Sequence, residues 1–420
     1  MMLVPLATFA QSGTNSPYSQ YGLGVLSDQS TGFNRGMNGV AIAMHDGNQV
    51  NYLNPASYSQ MDSLTFIFDV GASLQVTNFS EGGKKINANN ADFEYAVMGF
   101  RAAKGLGMSI GILPFSNIGY NYYNTTKISG SNTTTHTETY SGTGGVRQLY
   151  FGIGYMPFKG LSIGANISYL WGDYTRIMSS TYSDANVKTL SRVYYAEPSS
   201  YRLDAGLQYT AKIGKKDNVT IGGTYTYGHK LAGAVGMYDI SSGQDGIVDT
   251  TSTSLSNSLF IPTSYGAGIS WYHGSRLHIG VDYLYQQWSK QTYPDLRNQN
   301  GRPELVLVND ALMDRQKFTL GAEFVNNATS RSYLDRVHFR AGVSYATPYI
   351  KINGKDGPKE LAASFGIGLP IMNSWNNRSI LNISGQWAHT SAPGLITENT
   401  FRINIGITFN ERWFAKWKME

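Results

Sequence analysis

The stretch that decides the fold is Phe401-Arg-Ile-Asn-Ile-Gly-Ile-Thr-Phe409, close to the end of the chain. Large apolar residues alternate in it with polar residues or glycine, so a β-strand would place the two kinds on opposite faces. The same alternation recurs in residues 161–169, 201–209, 277–285 and 337–345. Strands of this kind, repeated along a chain, indicate a membrane barrel whose outer face meets lipid.

The polar face of these strands carries charged residues in mid-strand. A dry sandwich core would accept them only at a large desolvation cost, whereas a watery or plugged lumen accepts them readily. The arginines among them could hold a ligand carboxylate, but pairing with acidic neighbours is the more common arrangement. The luminal candidates are Arg202, Asp204, Asp282, Glu323, Arg340 and Arg402.

Composition agrees with an all-β protein. The 420 residues include 47 Gly and 29 Tyr but only 15% charged residues, a bias that is typical of strands and turns. A soluble β-sandwich or propeller could share this bias, and only the repeated one-sided alternation separates the two classes. We therefore expect a transmembrane antiparallel β-barrel over residues 64–409.

Segment counting predicts about 14 strands, an even number as barrels of this type require. Short and long connections alternate between the segments, as periplasmic turns and extracellular loops do, which predicts that both termini are periplasmic. Long loops are expected near 80–91, 123–146, 177–198, 231–257, 290–312, 348–359 and 390–399. The expected strand starts are Leu64, Asp92, Leu106, Gln148, Leu161, Ser200, Asn218, Ser258, Arg276, Arg315, Asp335, Glu360, Arg378 and Thr400.

The two ends of the chain lie outside the alternation. Residues 1–10 are apolar and end in Ala10, which predicts the last part of a secretory signal peptide whose start codon lies upstream of Met1. Residues 11–63 carry too many apolar residues for a disordered segment, so we expect a hatch folded back into the lumen. Residues 410–420 form a predicted periplasmic tail.

Charge and motifs exclude other classes. The net charge of +5 comes from scattered Lys and Arg residues rather than a basic patch, which argues against a nucleic-acid partner. Cysteine is absent, and the chain contains no HExxH or phosphate-binding GxxxxGK[ST] motif around its seven histidines. We therefore expect no enzymatic activity, no metal and no cofactor.

The segment Gly36–Ser57, GMNGVAIAMHDGNQVNYLNPAS, resembles the hatch of the FadL/TodX family of outer-membrane hydrophobic-compound transporters. The resemblance extends over nearly the whole chain, with further support from residues 261–269, 340–349 and 366–370. It implies a barrel of fourteen strands in the outer membrane, blocked by an N-terminal hatch. The hatch residues that match are Gly36, Gly39, Asp46, Asn54, Pro55 and Ala56.

The family resemblance also implies a route for the ligand: from the lumen, past a shifted hatch, and sideways through a kink in the third strand. The predicted third strand contains Pro114, which cannot donate an N–H to the ladder, so the wall should be interrupted there. A simple bulge without any role in transport is the alternative interpretation. The candidate kink residues are Gly111, Pro114, Phe115 and Gly119.

Two functions remain open at this stage. The first is a gated channel for small hydrophobic or amphipathic compounds, fatty-acid-like by resemblance, with lipid and the ligand as partners. The predicted loops at 129–145 and 240–258 are polar, however, and a greasy entry groove needs apolar residues. The second is a partner barrel without transport, an accessory subunit of an envelope secretion or assembly complex that binds other envelope proteins.

Overall fold

The computed structural model describes residues 13–128, 134–184, 186–243, 247–299, 302–371 and 379–411. The predicted signal peptide, the turn at 373–377 and residues 412–420 of the predicted tail lie outside these ranges.

Fourteen antiparallel strands within these ranges form a closed barrel, which confirms the predicted fold class. Each strand pairs with the next along the chain, and the last pairs with the first, from Phe66 opposite Glu411 to Ser80 opposite Thr397. The strands are β1 (Phe66–Glu81), β2 (Lys84–Ala103), β3 (Leu106–Lys127), β4 (Thr135–Phe158), β5 (Leu161–Tyr182), β6 (Thr189–Lys212), β7 (Asp217–Thr226), β8 (Ser264–His273), β9 (Leu277–Gln286), β10 (Arg315–Val325), β11 (His338–Ala346), β12 (Lys359–Ile371), β13 (Ser379–Ser391) and β14 (Thr397–Glu411).

The outer face of the barrel is apolar, as the alternation predicts. In β14 the side chains of Phe401 and Ile403 are both 53% exposed, whereas Asn404 is 5% exposed and faces the interior. Exposed Ile163, Ile167 and other apolar side chains continue this surface around the ring. Such exposure is stable only against an apolar solvent, as a lipid bilayer provides.

Several strands are longer than predicted. β2 begins at Lys84 rather than near Asp92, β4 at Thr135 rather than near Gln148, and β6 at Thr189 rather than near Ser200. The predicted loops at 80–91, 123–146 and 177–198 are therefore mostly strand, because their polar sequences pair as long hairpins beyond the apolar band. The sequence did not predict these extensions, because neither of their faces contacts lipid and their residues therefore show no apolar alternation.

The predicted loop at 231–257 is also structured. Gly233–Ser242 and Val248–Ser256 form a hairpin that pairs with the outer part of β6 and widens the wall. His229–Leu231 pairs with Leu259–Ile261, so the strand expected from Ser258 begins as β8 only at Ser264. Other short elements are the hairpins Tyr293–Gln299 with Arg302–Val308 and Lys351–Ile352 with Lys355–Asp356, and the 3-10 turn Leu334–Arg336.

An apolar cap lies at the end of the barrel where the long connections meet. It joins residues from different hairpins to Tyr18 and Leu23 of the N-terminal segment, and the ring centroids of Trp288 and Tyr349 lie 4.7 Å apart. Burial of this many apolar and aromatic groups holds the hairpins together over the lumen. Besides those four, the buried members include Phe115, Ile118, Tyr120, Val146, Leu170, Tyr174, Leu231, Val235, Leu259, Ile261, Leu305 and Ile350.

Residues 13–65, which we call the luminal segment, lie inside the barrel. The segment contains the 3-10 turns Pro17–Gln20 and Pro55–Gln60, the short strand Val25–Leu26 and the helical turn Gly32–Arg35. Its groups bond to β2, β5, β6, β8, β9, β11, β12 and β14, which is possible only from within the closed ring. No helix among the described residues is long and apolar enough to cross a membrane.

Candidate luminal site

The wall carries glycines where the luminal segment approaches it most closely. A Cβ at Gly222 of β7 would lie 2.1 Å from the carbonyl oxygen of Ile42, and one at Gly164 of β5 would lie 2.4 Å from the carbonyl carbon of Pro55. Both distances are far below van der Waals contact, so only glycine allows the two backbones to meet there. The glycines of the alternating pattern therefore determine how closely the segment approaches the wall.

An ion pair anchors the helical turn of the luminal segment to the wall. The Arg35 guanidinium contacts the Glu94 carboxylate of β2 at 2.9 Å, and the two side chains are 4% and 8% exposed. Arg35 also donates to the carbonyl oxygens of Ser30 and Asp28 and to Asn404 of β14. Neither Arg35 nor Glu94 was a predicted site residue, because nothing in the local sequence pairs positions so far apart.

Burial and charge shift the protonation of groups on the luminal segment. Burial would raise the pKa of Asp28, but nearby Lys317 and Arg35 hold that pKa lower, at about 2. Burial raises the pKa of Asp46 and lowers the pKa of His45 to about 4. At neutral pH the segment thus carries a charged Asp28 and a neutral His45.

The predicted hatch residues Gly36, Gly39 and Asp46 all lie in the luminal segment. The carbonyl oxygen of Gly36 accepts a bond of 3.1 Å from Ser364 of β12, and the Gly39 N–H donates to the Asn34 carbonyl oxygen at 2.9 Å. Asp46 accepts from the backbone N–H of Asn48 at 2.7 Å. These contacts shape the fold of the segment and its seat against the wall.

The predicted triplet Asn54, Pro55 and Ala56 begins the 3-10 turn of the luminal segment. The Asn54 side-chain oxygen accepts from the Ala56 N–H at 3.1 Å, which caps the turn, while its amide donates to the carbonyl oxygens of Ile42 and Leu207 at 2.6 and 3.2 Å. All three residues are buried. The single asparagine thus joins two parts of the segment to β6.

The luminal charges on β6 and β9 are bound rather than free. Arg202 contacts Asp204 at 3.0 Å and also donates to Gln29 of the luminal segment at 3.0 Å. Asp282 accepts from the backbone N–H groups of Ala41 and Ile42 at 2.6 and 2.8 Å. A wall carboxylate therefore satisfies two consecutive amides of the segment, as charged acceptors do strongly.

The remaining luminal candidates lie on β10, β11 and β14. Arg340 contacts Glu323 at 2.5 Å and is 1% exposed, while Glu323 also lies 3.3 Å from His278 and from His338. Arg402 instead donates to the side-chain oxygens of Gln75 and Gln386, at 3.0–3.2 Å. The structure does not bring all the predicted charges into one cluster.

A cavity of about 250 Å³ remains between the luminal segment and the cap. Phe115, Ile261 and Trp288 contribute apolar surface to it, but charged groups of both signs surround the rest. Pockets for hydrophobic ligands are lined mainly by apolar and aromatic side chains with few polar groups. The lining of this cavity differs from that pattern. The charged lining includes Asp28, Asp92, Asp204, Asp282, Arg202, Arg315, Lys317 and Arg402.

The predicted kink residues lie where β3 separates from β2. Gly111 is opposite Val97 in the paired part, whose last pair is Ala96 with Ile112, and the β3–β4 register shifts between Pro114 and Ser116. Past this point β3 bonds to the luminal segment: the carbonyl oxygen of Phe115 accepts from Ser27, and the backbone of Gly119 bonds to the Ser19 hydroxyl.

The chain is similar in fold to solved structures of hydrocarbon channels and of a FadL homologue. The monoaromatic hydrocarbon channel CymD has 15% identity and a TM-score of 0.60, over 94% of this chain and 100% of its own. The toluene transporter TbuX of Ralstonia pickettii has 14% identity and a TM-score of 0.63, over 91% and 98%. A FadL homologue of Pseudomonas aeruginosa has 12% identity and a TM-score of 0.60, over 90% of this chain and 98% of its own. At these identities the likeness shows a shared fold.

A search of curated proteins found no match. The BamG family model, in contrast, matches residues 1–420, the full length of the sequence. Together with the FadL-like barrel, this match shows that the chain belongs to the BamG family.

Proposed function

We propose that this chain is a partner barrel of the outer membrane, an accessory subunit of an envelope assembly complex that does not itself transport. The observation that carries the proposal is the filled lumen, in which the luminal segment bonds to strands around the whole ring. The match to the BamG family supports the same role. The barrel then serves as a rigid membrane-embedded scaffold for other envelope proteins.

The chemistry of the lumen argues in the same direction. A hydrophobic compound would have to pass from the apolar cap into a cavity lined by Asp28, Arg202, Lys317 and other charged groups. Each ion pair there would have to be displaced or left beside an apolar ligand, at the cost of its desolvation. A scaffold that transports nothing keeps these ion pairs intact.

Depletion of the protein in its own bacterium tests the proposal. We expect the folded fraction of other outer-membrane barrels, read from their heat-modifiable mobility on gels, to fall as the protein is depleted. Mild extraction from undepleted cells, followed by native mass spectrometry, should show a stoichiometric protein partner and no retained small ligand. Normal barrel folding together with lost uptake of hydrophobic compounds would refute the accessory role.

The second candidate is a channel for small hydrophobic or amphipathic compounds, gated by the luminal segment and open sideways at the Pro114 region. The separation of β2 from β3 after the Ala96–Ile112 pair favours this candidate, because the wall is interrupted there and the edge of β3 is covered by the luminal segment instead of by β2. Its test is the same extraction: a lone barrel that retains a lipid-like ligand would support it. Uptake that survives depletion would exclude it.

A further inference from the structure

The hairpin of Gly233–Ser242 and Val248–Ser256 ends in a free sheet edge. Gly233–Ser242 pairs on one side with β6 and on the other with Val248–Ser256. Val248–Ser256, which we call the edge strand, pairs with this neighbour along all nine of its residues. The next barrel strand, β8, pairs with β7 and β9 instead. Among the described strands, none pairs with the far side of the edge strand.

The bonds at the two ends of the hairpin show which backbone groups point away from it. The N–H of Gly243 donates to the carbonyl oxygen of Ile247 at 3.4 Å, and the N–H of Asn257 donates to that of Gly233 at 2.8 Å. Bonded and non-bonded pairs alternate along an antiparallel ladder, so the odd-numbered residues from 249 to 255 bond within the hairpin. The N–H and C=O groups that point outward are those of five exposed residues, Val248, Thr250, Ser252, Ser254 and Ser256.

The edge strand lacks the features that keep most free edges from pairing. Natural edges are blunted by lysine, by proline or by a bulge. The sequence VDTTSTSLS contains neither lysine nor proline, and its register to Gly233–Ser242 runs without a shift. Its valine and threonines favour an extended backbone. The edge is therefore a preformed template for one more strand, because another extended backbone offers donors and acceptors at the matching spacing.

The side chains of the edge strand indicate the sequence that an added strand would carry. Alternation places Asp249 and Leu255 on the same face, near opposite ends. Leu255 packs against the apolar cap, whereas Asp249 is exposed and has no ion-pair partner among the described residues. A complementary strand therefore has a basic residue beside Asp249, an apolar residue beside Leu255 and uncharged residues between them.

We infer that the edge strand is the docking site of the protein partner, which adds an extended segment of its own chain to this sheet. The inference rests on the proposed accessory role and names the surface and the chemistry of the contact. The partner segment carries a lysine or arginine at the Asp249 end and an apolar residue at the Leu255 end. Backbone hydrogen bonds supply most of the affinity, so the small hydroxyl side chains between these ends are replaceable.

A proline at the centre of the edge tests the contact in the full-length protein. Ser252→Pro removes one outward N–H and places the ring where the added strand would lie, whereas the ladder within the hairpin loses no donor. Ser252→Ala is the matched control, because it removes the hydroxyl and keeps the N–H. Unchanged heat-modifiable mobility on gels would show that both barrels are folded.

Native mass spectrometry after mild extraction from the bacterium's own outer membrane measures the ratio of partner-bound to free chain. We expect this ratio to fall about tenfold in Ser252→Pro, and to stay within about twofold of the wild-type value in Ser252→Ala. Asp249→Lys should lower it about fivefold, because a repulsion replaces an exposed ion pair of modest strength. An unchanged ratio in Asp249→Lys would overturn the basic residue.

Hydrogen exchange gives a second measurement that needs no variant. The five outward amides of the edge strand should exchange about tenfold more slowly in the complex than in the chain without its partner, because the added strand accepts their hydrogen bonds. The inward amides of the same strand are bonded in both states and serve as the internal control. Equal exchange of the outward amides in the two states would overturn the docking site.

The outcomes separate this inference from the accessory role. Equal partner retention by Ser252→Pro and the wild-type chain would overturn the edge and leave the accessory role standing. Equal loss in both Ser252 variants would overturn recognition through the backbone. A complex of two copies of this chain that Ser252→Pro dissociates would overturn a different protein as the occupant. A wild-type chain that retains no partner would refute the accessory role, and this inference with it.

Discussion

Replacement of Arg35 by methionine should release the luminal segment from the wall without unfolding the barrel. The substitution keeps much of the apolar length of the side chain but removes the charge that neutralises Glu94, itself 6% exposed. Ser73 still donates to Glu94 at 2.5 Å, so the carboxylate keeps one neutral partner. It loses its closest cation, and Arg402 is the cation that remains near it, so a buried charge is left poorly compensated.

Breaking a buried ion pair from one side costs about 3–5 kcal/mol. At 1.36 kcal/mol per factor of ten, the docked state of the segment should weaken between about a hundredfold and a few thousandfold. The lost bonds to Ser30, Asp28 and Asn404 add to this, since they would leave acceptors without a donor. The strands themselves keep every ladder bond.

Hydrogen exchange followed by mass spectrometry on the full-length protein measures this difference. Peptides within residues 25–60 should exchange faster in Arg35→Met by the factor above, while peptides from β4 to β6 keep their protection. Adding Glu94→Gln should recover part of the loss, because an uncharged amide no longer needs a cation. Arg192→Met serves as the control, since its pair with Asp239 at 3.1 Å is partly exposed and worth about 1 kcal/mol or less.

Two results would refute this reasoning. The first is an Arg35→Met protein whose segment exchanges at the wild-type rate, which would mean that the ion pair does not hold the segment. The second is a double variant that exchanges faster than Arg35→Met alone, which would mean that Glu94 stabilises the segment without its partner.

Four further outcomes are expected. Deletion of residues 13–57 should leave a folded barrel with raised conductance in planar bilayers, and unchanged conductance would contradict a plugging role. Gly222→Ala should raise conductance by forcing the segment away from β7, whereas Gly385→Ala, with nothing within 4 Å of the added Cβ, should not. The pKa of His45 lies at about 4 in the docked segment and near 6.5 when the segment is released. The contribution of neutral His45 to the free energy of docking is therefore fully present above pH 6.5. It should lose up to about 3 kcal/mol as the pH falls to 4, measured by hydrogen exchange across that range. If the protein is a channel, Pro114→Val should restore a ladder donor and reduce uptake of hydrophobic compounds, and unchanged uptake would exclude a route at this point.

The barrel was predictable because its information is local. Period-two alternation in a stretch such as 401–409 fixes which face meets lipid, and the turns between stretches give the strand count and order. The extensions of β2, β4 and β6 were not predicted, because their sequences lack this local alternation. Beyond the apolar band neither face of a hairpin contacts lipid, so the polar strands there carry no one-sided pattern and resemble loops.

The contacts of the lumen were less predictable, because they join residues that are far apart in the chain. Asp282 could be recognised as an inward-facing charge, but its partners, the amides of Ala41 and Ile42, follow from barrel register and from how the segment folds. The strand formed by Val25 and Leu26 could not be read from two residues of sequence. Pro114, in contrast, marked the place where the wall changes, since a missing N–H is a local property.

The enclosure of the luminal segment constrains the order in which this protein can fold. The segment reaches from the cap, where Tyr18 and Leu23 are buried, to β1 at the opposite end, and it bonds to strands on every side. Threading it into a finished ring would require its turns to pass through a lumen that strands already enclose on every side. We therefore expect the sheet to curl around the segment while it is still open, and the pairing of β14 with β1 to be the step that completes the molecule.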